Sequence, residues 1–220
     1  CLLGCAIGDA LGAPIENWSR EKILELDNLT GYFRECHHKS RDKPFPLGQC
    51  TDDTQLTIAL VKGILSSGDV DGGAIASEFV KLWQSGEIVG QGKVADNAVK
   101  RLIEGVSWDE AALIDDKPWN GAAMRMAPVG LWDHERAESL EDDVYKASII
   151  THRHPKAISG ALAIGAAVAF VVSQTEFSAG EFVESVANMV ANQDEDLAKH
   201  ILLIKEWVSL SDAEVLAAMD

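Results

Sequence analysis

Along most of this chain apolar residues recur at the spacing of a helix face, and no stretch alternates as a half-buried strand requires. Leu56, Ala59, Leu60, Gly63 and Ile64 share one stripe, and Ile75, Phe79, Leu82 and Trp83 share another. Near the C-terminus Ile201, Ile204 and Val208 form an apolar face, beside a mixed face carrying Leu202 and Lys205. Ser-x-x-Glu pairs stand at Ser107 and Glu110, Ser178 and Glu181, and Ser211 and Glu214. In each the hydroxyl can take a free N–H at a helix start while the Glu returns the bond. The pattern predicts an all-α fold of nine or ten helices. Residues 157–172 are the longest apolar stretch, rich in Gly and Ala and shorter than the roughly 18 residues that a membrane span requires. They are predicted to form a central buried helix whose small residues let its neighbours approach.

The 220 residues include 19 Lys and Arg against 35 Asp and Glu, a net charge of −16. Such a surface repels phosphate backbones and anionic lipid, so nucleic acid and membrane are not expected partners. Excess carboxylate suits solubility or a metal site. Four cysteines, at 1, 5, 36 and 50, are too few for a disulfide scaffold, and Cys36-His37-His38 with Cys50 matches no closed zinc pattern. Reduced thiols and a cytoplasmic location are expected. Polar loops are predicted over residues 35–49, 85–93 and 117–121. With no linker, repeat or low-complexity segment, residues 1–220 are expected to form a single domain, trimmed at both ends, since the chain opens abruptly in apolar sequence at Cys1.

Three segments depart from ordinary bundle sequence. In Gly4-x-x-x-Gly8-Asp9-Ala10-x-Gly12-Ala13-Pro14-x-Glu16, Asp9 sits within an apolar run and needs partners if it faces inward. Glu16 follows Pro14, so it is expected at a helix end, projecting into a cleft. In Thr51-Asp52-Asp53-Thr54, which stands before the apolar helix, all four residues suit first-turn positions. The same oxygens suit a hard cation such as Mg²⁺ or Mn²⁺, and a cation between adjacent carboxylates removes their repulsion. Asn120-Gly121-Ala122-Ala123-Met124-Arg125 reads either as a loop leading to a core helix or as a helix start whose bare N–H groups can hold a diphosphate. Thr151-His152 stands just before Pro155, which can start the most apolar helix.

In this order the segments resemble the ADP-ribosylglycohydrolase family, the group of dinitrogenase-reductase-activating glycohydrolases and ADP-ribosylhydrolases. The resemblance is carried by Gly8-Asp9-Ala10-Leu11-Gly12-Ala13-Pro14-Ile15-Glu16, Thr51-Asp52-Asp53-Thr54-Gln55, Asn120-Gly121-Ala122-Ala123-Met124-Arg125 and Thr151-His152. It implies a compact orthogonal multi-helix bundle whose cleft holds two Mg²⁺ or Mn²⁺ ions. It also implies a substrate that is an ADP-ribosylated protein or a small ADP-ribosyl compound. By that resemblance Thr51, Asp52 and Asp53 are metal ligands, and Glu16 and Asp53 are catalytic. Gly90, Gly92, Asn120, Gly121, Ala122, Met124 and His152 are substrate-binding.

Two departures follow from the same comparison. The family's glycine-containing substrate loop carries an Asp before its glycine, where this chain has Glu87-Ile88-Val89-Gly90 and Glu87 is a shifted substitute. The family's second ligand set, a Gly-x-Asp-Thr-Asp-Thr segment, is missing, and Asp194-Glu195-Asp196 reads as a solvated helix start. The expected function is metal-dependent hydrolysis that releases ADP-ribose. The alternative is a non-catalytic ADP-ribose-binding or structural protein on the same fold. His-Asp, G-x-S-x-G, H-E-x-x-H and P-loop signatures do not occur in the chain.

Overall fold

The computed structural model describes residues 1–26 and 45–218. Among the described residues there are eleven α-helices, two 3-10 turns and no strand. In chain order the helices are α1 (Leu2–Gly12), α2 (Arg20–Leu24), α3 (Asp52–Ser67), α4 (Gly72–Ser85), α5 (Lys93–Ile103), α6 (Ala127–Trp132), α7 (Ala137–Ile149), α8 (Pro155–Ser173), α9 (Ala179–Val190), α10 (Glu195–Trp207) and α11 (Asp212–Ala218). The 3-10 turns are Ala13–Ile15 and Ala123–Arg125. Nine of the helices have seven residues or more, and α2 and α6 are shorter. The all-α reading therefore holds. Most of the predicted loop over residues 35–49, including Cys36, His37 and His38, lies outside the described residues.

Helix ends follow local chemistry. Helices α3 and α4 stop at Gly68 and Gly86, whose φ angles of 75° and 70° suit a residue without Cβ. The Asp71 carboxylate accepts the Ala74 N–H at 2.7 Å to start α4, and Asp194 accepts the Leu197 N–H at 2.9 Å to start α10. Asp194-Glu195-Asp196 is thus a helix start, as predicted. Ser178 caps α9 through the Glu181 N–H. Ser211 and Glu214 close the full reciprocal box, the Ser211 N–H and hydroxyl both donating to the Glu214 carboxylate at 2.8 and 2.7 Å.

The Ser107 pair does not start a helix. The Glu110 N–H donates to the Ser107 carbonyl in an isolated turn. Tertiary packing prevails there: a Cβ on Gly72 would fall 2.4 Å from the Trp108 ring, so Trp108 is pressed onto the start of α4.

The core joins Leu56, Leu60, Phe79, Val129, Leu140, Val144, Ile150 and Leu162, all within 1% of complete burial. Helix α8 packs against α6, α7 and α9, and α3 packs against α4. Two close crossings explain particular glycines. A Cβ on Gly130 would fall 2.4 Å from the Gly165 carbonyl oxygen, and one on Gly63 would fall 2.7 Å from the Ile75 Cα. Helix α8 is longer than its apolar run because Pro155 supplies its first turn and Ser173 ends it. At 19 residues and mean hydropathy 1.8 it is long and apolar enough to cross a membrane by length and composition. Here Ala157, Ile158, Ala161, Leu162, Gly165, Ala166 and Ala169 are buried within the bundle, the central position predicted for it.

Candidate active site

Thr51 occupies the N-cap position of α3, yet its side chain caps nothing in its own helix. The cap comes from α1. Asp9 Oδ2 accepts the N–H of Thr51 at 2.8 Å and of Thr54 at 3.2 Å, and the Thr54 hydroxyl at 2.5 Å. Asp9 Oδ1 accepts the Thr51 hydroxyl at 2.6 Å. These are the partners that an acid in an apolar run was expected to need. Because a neighbouring helix satisfies the free N–H groups, the Asp52 and Asp53 carboxylates are left for the cleft.

Asp52 is only 8% exposed. Burial raises its pKa from 3.8 to about 7, with Asp53, Glu16 and Asp9 adding repulsion. Asp53 is also pushed up, first by burial and then by Asp9, against a lowering bond from Thr51. Glu16 closes the 3-10 turn that follows α1, where Pro14 is buried, and Asn17 turns the chain away at φ 62°. The side chain of Glu16 is therefore presented to the cleft at a helix end, as the sequence indicated.

The loop after α4 is tied to α3 by Gln55. Its amide donates to the Glu87 carbonyl at 2.8 Å, and its oxygen accepts the Val89 N–H at 2.9 Å. The Asp52 N–H donates to the Val89 carbonyl at 2.7 Å. Gly90 has φ 85°, and a Cβ on it would fall 3.2 Å from Asp52 Oδ1 and 3.4 Å from Thr51 Cβ. Glycine is required there on both grounds.

A second polar loop is held by Asp115, whose Oδ1 accepts the Lys117 N–H at 3.0 Å and the Trp119 indole N–H at 3.1 Å. Lys117 Nζ lies 5.7 Å from the Trp119 ring centroid.

Arg125 is fully buried, with its guanidinium 4.7 Å from the Phe79 ring centroid. Its Nη2 donates to the Ala147 carbonyl at 3.1 Å and to the Thr151 hydroxyl at 2.7 Å. Burial lowers its pKa to about 9, and the negative charge of Asp52 works the other way. The Thr151 oxygen lies 2.8 Å from His152 Nδ1. His152 is 5% exposed, and burial and then Arg125 lower its pKa to about 3. It is a neutral imidazole at ordinary pH.

One cleft of about 670 Å³ gathers these groups. Of the residues predicted from sequence, Glu16, Asp52, Asp53, Gly90, Gly92, Asn120, Gly121, Met124 and His152 line it. Thr51 stands just behind the lining, next to Gly90, and its hydroxyl donates to Asp9. Ala122 is completely buried in the core, so its small side chain serves packing and not ligand contact. No α-helix begins at Gly121: the chain makes a three-residue 3-10 turn, and α6 starts at Ala127. The anticipated helix terminus for a diphosphate is therefore not formed there. The bareness of Gly121 has another cause, since a Cβ would fall 2.3 Å from His152 Cε1. Glu87 is exposed and does not line the cleft, and it holds the loop through its backbone, its N–H donating to the Ser85 hydroxyl and its carbonyl accepting from Gln55.

Sequence reasoning missed Lys93, Val94, Ala95, Asp115, Asp116, Lys117 and Trp119 as cleft residues. A tryptophan set among charged residues in a loop was the available signal. Among the described residues no three His, Cys, Asp or Glu side chains gather as a ready metal cluster.

Comparison with known proteins bears on this geometry. The chain is 32% identical to an uncharacterized protein of Archaeoglobus fulgidus over all of its own length and 68% of that protein. It is 30% identical to the ADP-ribosyl-dinitrogen reductase glycohydrolase of Rhodospirillum rubrum over 88% of its own length and 63% of that enzyme. A solved ADP-ribosylglycohydrolase-related protein complex shares the fold, with a TM-score of 0.63 and 22% identity, over 94% of this chain and 65% of the solved one. The chain thus spans about two thirds of the length of these relatives. The profile of the ADP-ribosylglycohydrolase family matches residues 1–219, and the chain belongs to that family.

Proposed function

We propose that this chain carries the core of a metal-dependent hydrolase that releases ADP-ribose from modified protein side chains or a small ADP-ribosyl compound. The observation that supports this most is the convergence of Glu16, Asp52, Asp53 and His152 on one cleft, although they lie up to 136 positions apart in sequence. The relative from Rhodospirillum rubrum is named for the same kind of bond cleavage.

The donor chemistry fits a hard divalent cation. Asp52 and Asp53 offer only oxygens, and Glu16 and Asp9 add negative charge beside them. Asp52 and Asp53 would hold Mg²⁺ or Mn²⁺. Such an ion, when bound, orients the ribose hydroxyls and acidifies a bound water. Thr51 donates its hydroxyl proton to Asp9, which orients its oxygen lone pairs and leaves them available to the same ion.

Cleavage at the anomeric carbon passes through an oxocarbenium-like state. Glu16, exposed where it lines the cleft, takes the proton of the attacking water, and Asp53 holds the reacting ribose. Trp119, 48% exposed beside Lys117, offers a flat apolar face to the base and a cation to a phosphate. The free thiols of Cys1, Cys5 and Cys50 fit a reducing compartment such as the cytoplasm.

The test is release of ADP-ribose from a modified peptide with Mg²⁺ or Mn²⁺ and with chelator. Release that is lost in Asp52→Ala, Asp53→Ala and Glu16→Gln is the expected result. Unchanged turnover in both aspartate variants refutes the metal assignment. Binding of ADP-ribose with no release under any condition identifies a binding protein on the same fold.

A further inference from the structure

The buried Arg125 and Thr151 have no part in the chemistry above, yet Arg125 bonds to Thr151 and Thr151 to His152, the one histidine among the described residues that lines the cleft. We propose that Arg125 and Thr151 are positioning residues that fix His152 with its proton on Nε2, so that the cleft receives a neutral N–H donor matched to an acceptor oxygen of the ligand. That the oxygen belongs to ADP-ribose rests on the function proposed above. The tautomer itself does not.

A guanidinium can only donate, so the 2.7 Å contact from Arg125 Nη2 obliges the Thr151 oxygen to accept. The Thr151 hydroxyl then has one proton to place. Its other hydrogen-bond neighbour among the described residues is His152 Nδ1, at 2.8 Å. If Nδ1 carried the imidazole proton, Thr151 would accept twice and its own proton would have no partner. Thr151 is completely buried, so an unpaired donor there is strongly disfavoured. Nδ1 is therefore the acceptor and Nε2 carries the proton.

Burial and charge together keep the ring neutral. Arg125 stands behind the ring and opposes a second proton, and burial does the same. Asp115 is the acid whose charge works in the other direction. On the far edge, Gly121 leaves room for the ring where a Cβ would fall 2.6 Å from Nε2. Both Gly121 and His152 line the cleft. A neutral donor of this kind binds an oxygen without acting as a general acid, and it does not change between mildly acidic and neutral pH.

The experiment is ¹⁵N–¹H NMR of the histidine rings in the full chain, with His152 assigned from its loss in His152→Gln. The expected spectrum has the proton on Nε2 and a bare Nδ1, unchanged from about pH 5.5 to 8. A proton on Nδ1, or titration within that range, overturns the proposal. In Thr151→Val the two tautomers mix and ADP-ribose binding weakens roughly tenfold, while Thr151→Ser restores both. A Thr151→Val protein that keeps the single Nε2 tautomer also overturns it. If that variant does not fold, the unmodified chain and Thr151→Ser still decide, because both must show the Nε2 proton. Absence of ADP-ribose binding in the unmodified chain refutes the ligand reading, and the spectrum independently settles the tautomer.

Discussion

Replacing Asp52 with asparagine is expected to stabilise the metal-free protein while removing its response to divalent cations. Asp52 lies in the first turn of α3, nearly buried, with Asp53, Glu16 and Asp9 around it. Its pKa rises from 3.8 to about 7, chiefly through burial. A carboxyl with a higher pKa folded than unfolded binds protons more tightly folded. Stability therefore falls as pH rises from about 4 to about 7 and is level above that. The gap corresponds to about 4 kcal/mol once the group is fully ionised. Asparagine keeps the shape without the charge and forgoes about 0.5–1 kcal/mol of attraction to the helix dipole. The expected net gain is about 3 kcal/mol near pH 8 in chelator, shrinking towards zero near pH 4. Equilibrium urea unfolding at several pH values measures it. Adding Mg²⁺ or Mn²⁺ should raise the stability of the unmodified chain and leave Asp52→Asn unmoved. A variant less stable than the parent near pH 8 in chelator, or one with the same pH slope, would refute the reasoning.

Three further outcomes are expected. Asp9→Asn replaces an all-acceptor group facing four donors with one that is half donor, and should cost roughly 2–3 kcal/mol in urea unfolding. Gly121→Ala forces the His152 ring aside, so calorimetry should show ADP-ribose affinity reduced at least roughly tenfold with little change in far-UV circular dichroism. Gly130→Ala drives a methyl into the Gly165 carbonyl at the crossing of α6 and α8, and should cost about 1–3 kcal/mol. Because that crossing is remote from the lining residues, the folded fraction should bind ADP-ribose unchanged.

The helical class and most helix starts were legible because they rest on local rules, namely spacing, caps and terminal glycines. Ser107 shows the limit: its box is sound, but the packing of Trp108 on Gly72 outweighs one cap. The cleft acids were legible as types at positions. That Asp9 caps a helix whose N-cap residue lies 42 positions later was not, since chain order carries no sign of which ends meet. The predicted helix start at Gly121 overlooked Pro128. Without an N–H, Pro128 cannot bond back to the Met124 carbonyl, so the helix starts afresh at Ala127. Ala122 was assigned to the ligand as part of the segment carrying the family resemblance, but a segment match does not say which of its side chains turn into the core, as that of Ala122 does. Asp115, Lys117 and Trp119 were hidden in a polar loop, because their arrangement depends on side-chain bonds among themselves that no periodicity records.

Helix α1 has only Ala10 fully buried, and among the described residues its side-chain-mediated attachments to the rest of the chain are the four bonds of Asp9 and the contact of the Cys50 thiol with the Ala6 carbonyl. Docking of this helix and ordering of the acidic cleft are therefore one equilibrium. A molecule with α1 detached has lost the cap of α3, the restraint on Thr51 and the wall that carries Glu16 together. Amide hydrogen exchange at Thr51 and Thr54 should report that opening directly, at a free energy below global unfolding. A substitution on the outer face of α1, far from any ligand, would then weaken binding by the fraction of molecules it undocks, and would look kinetically like an active-site lesion.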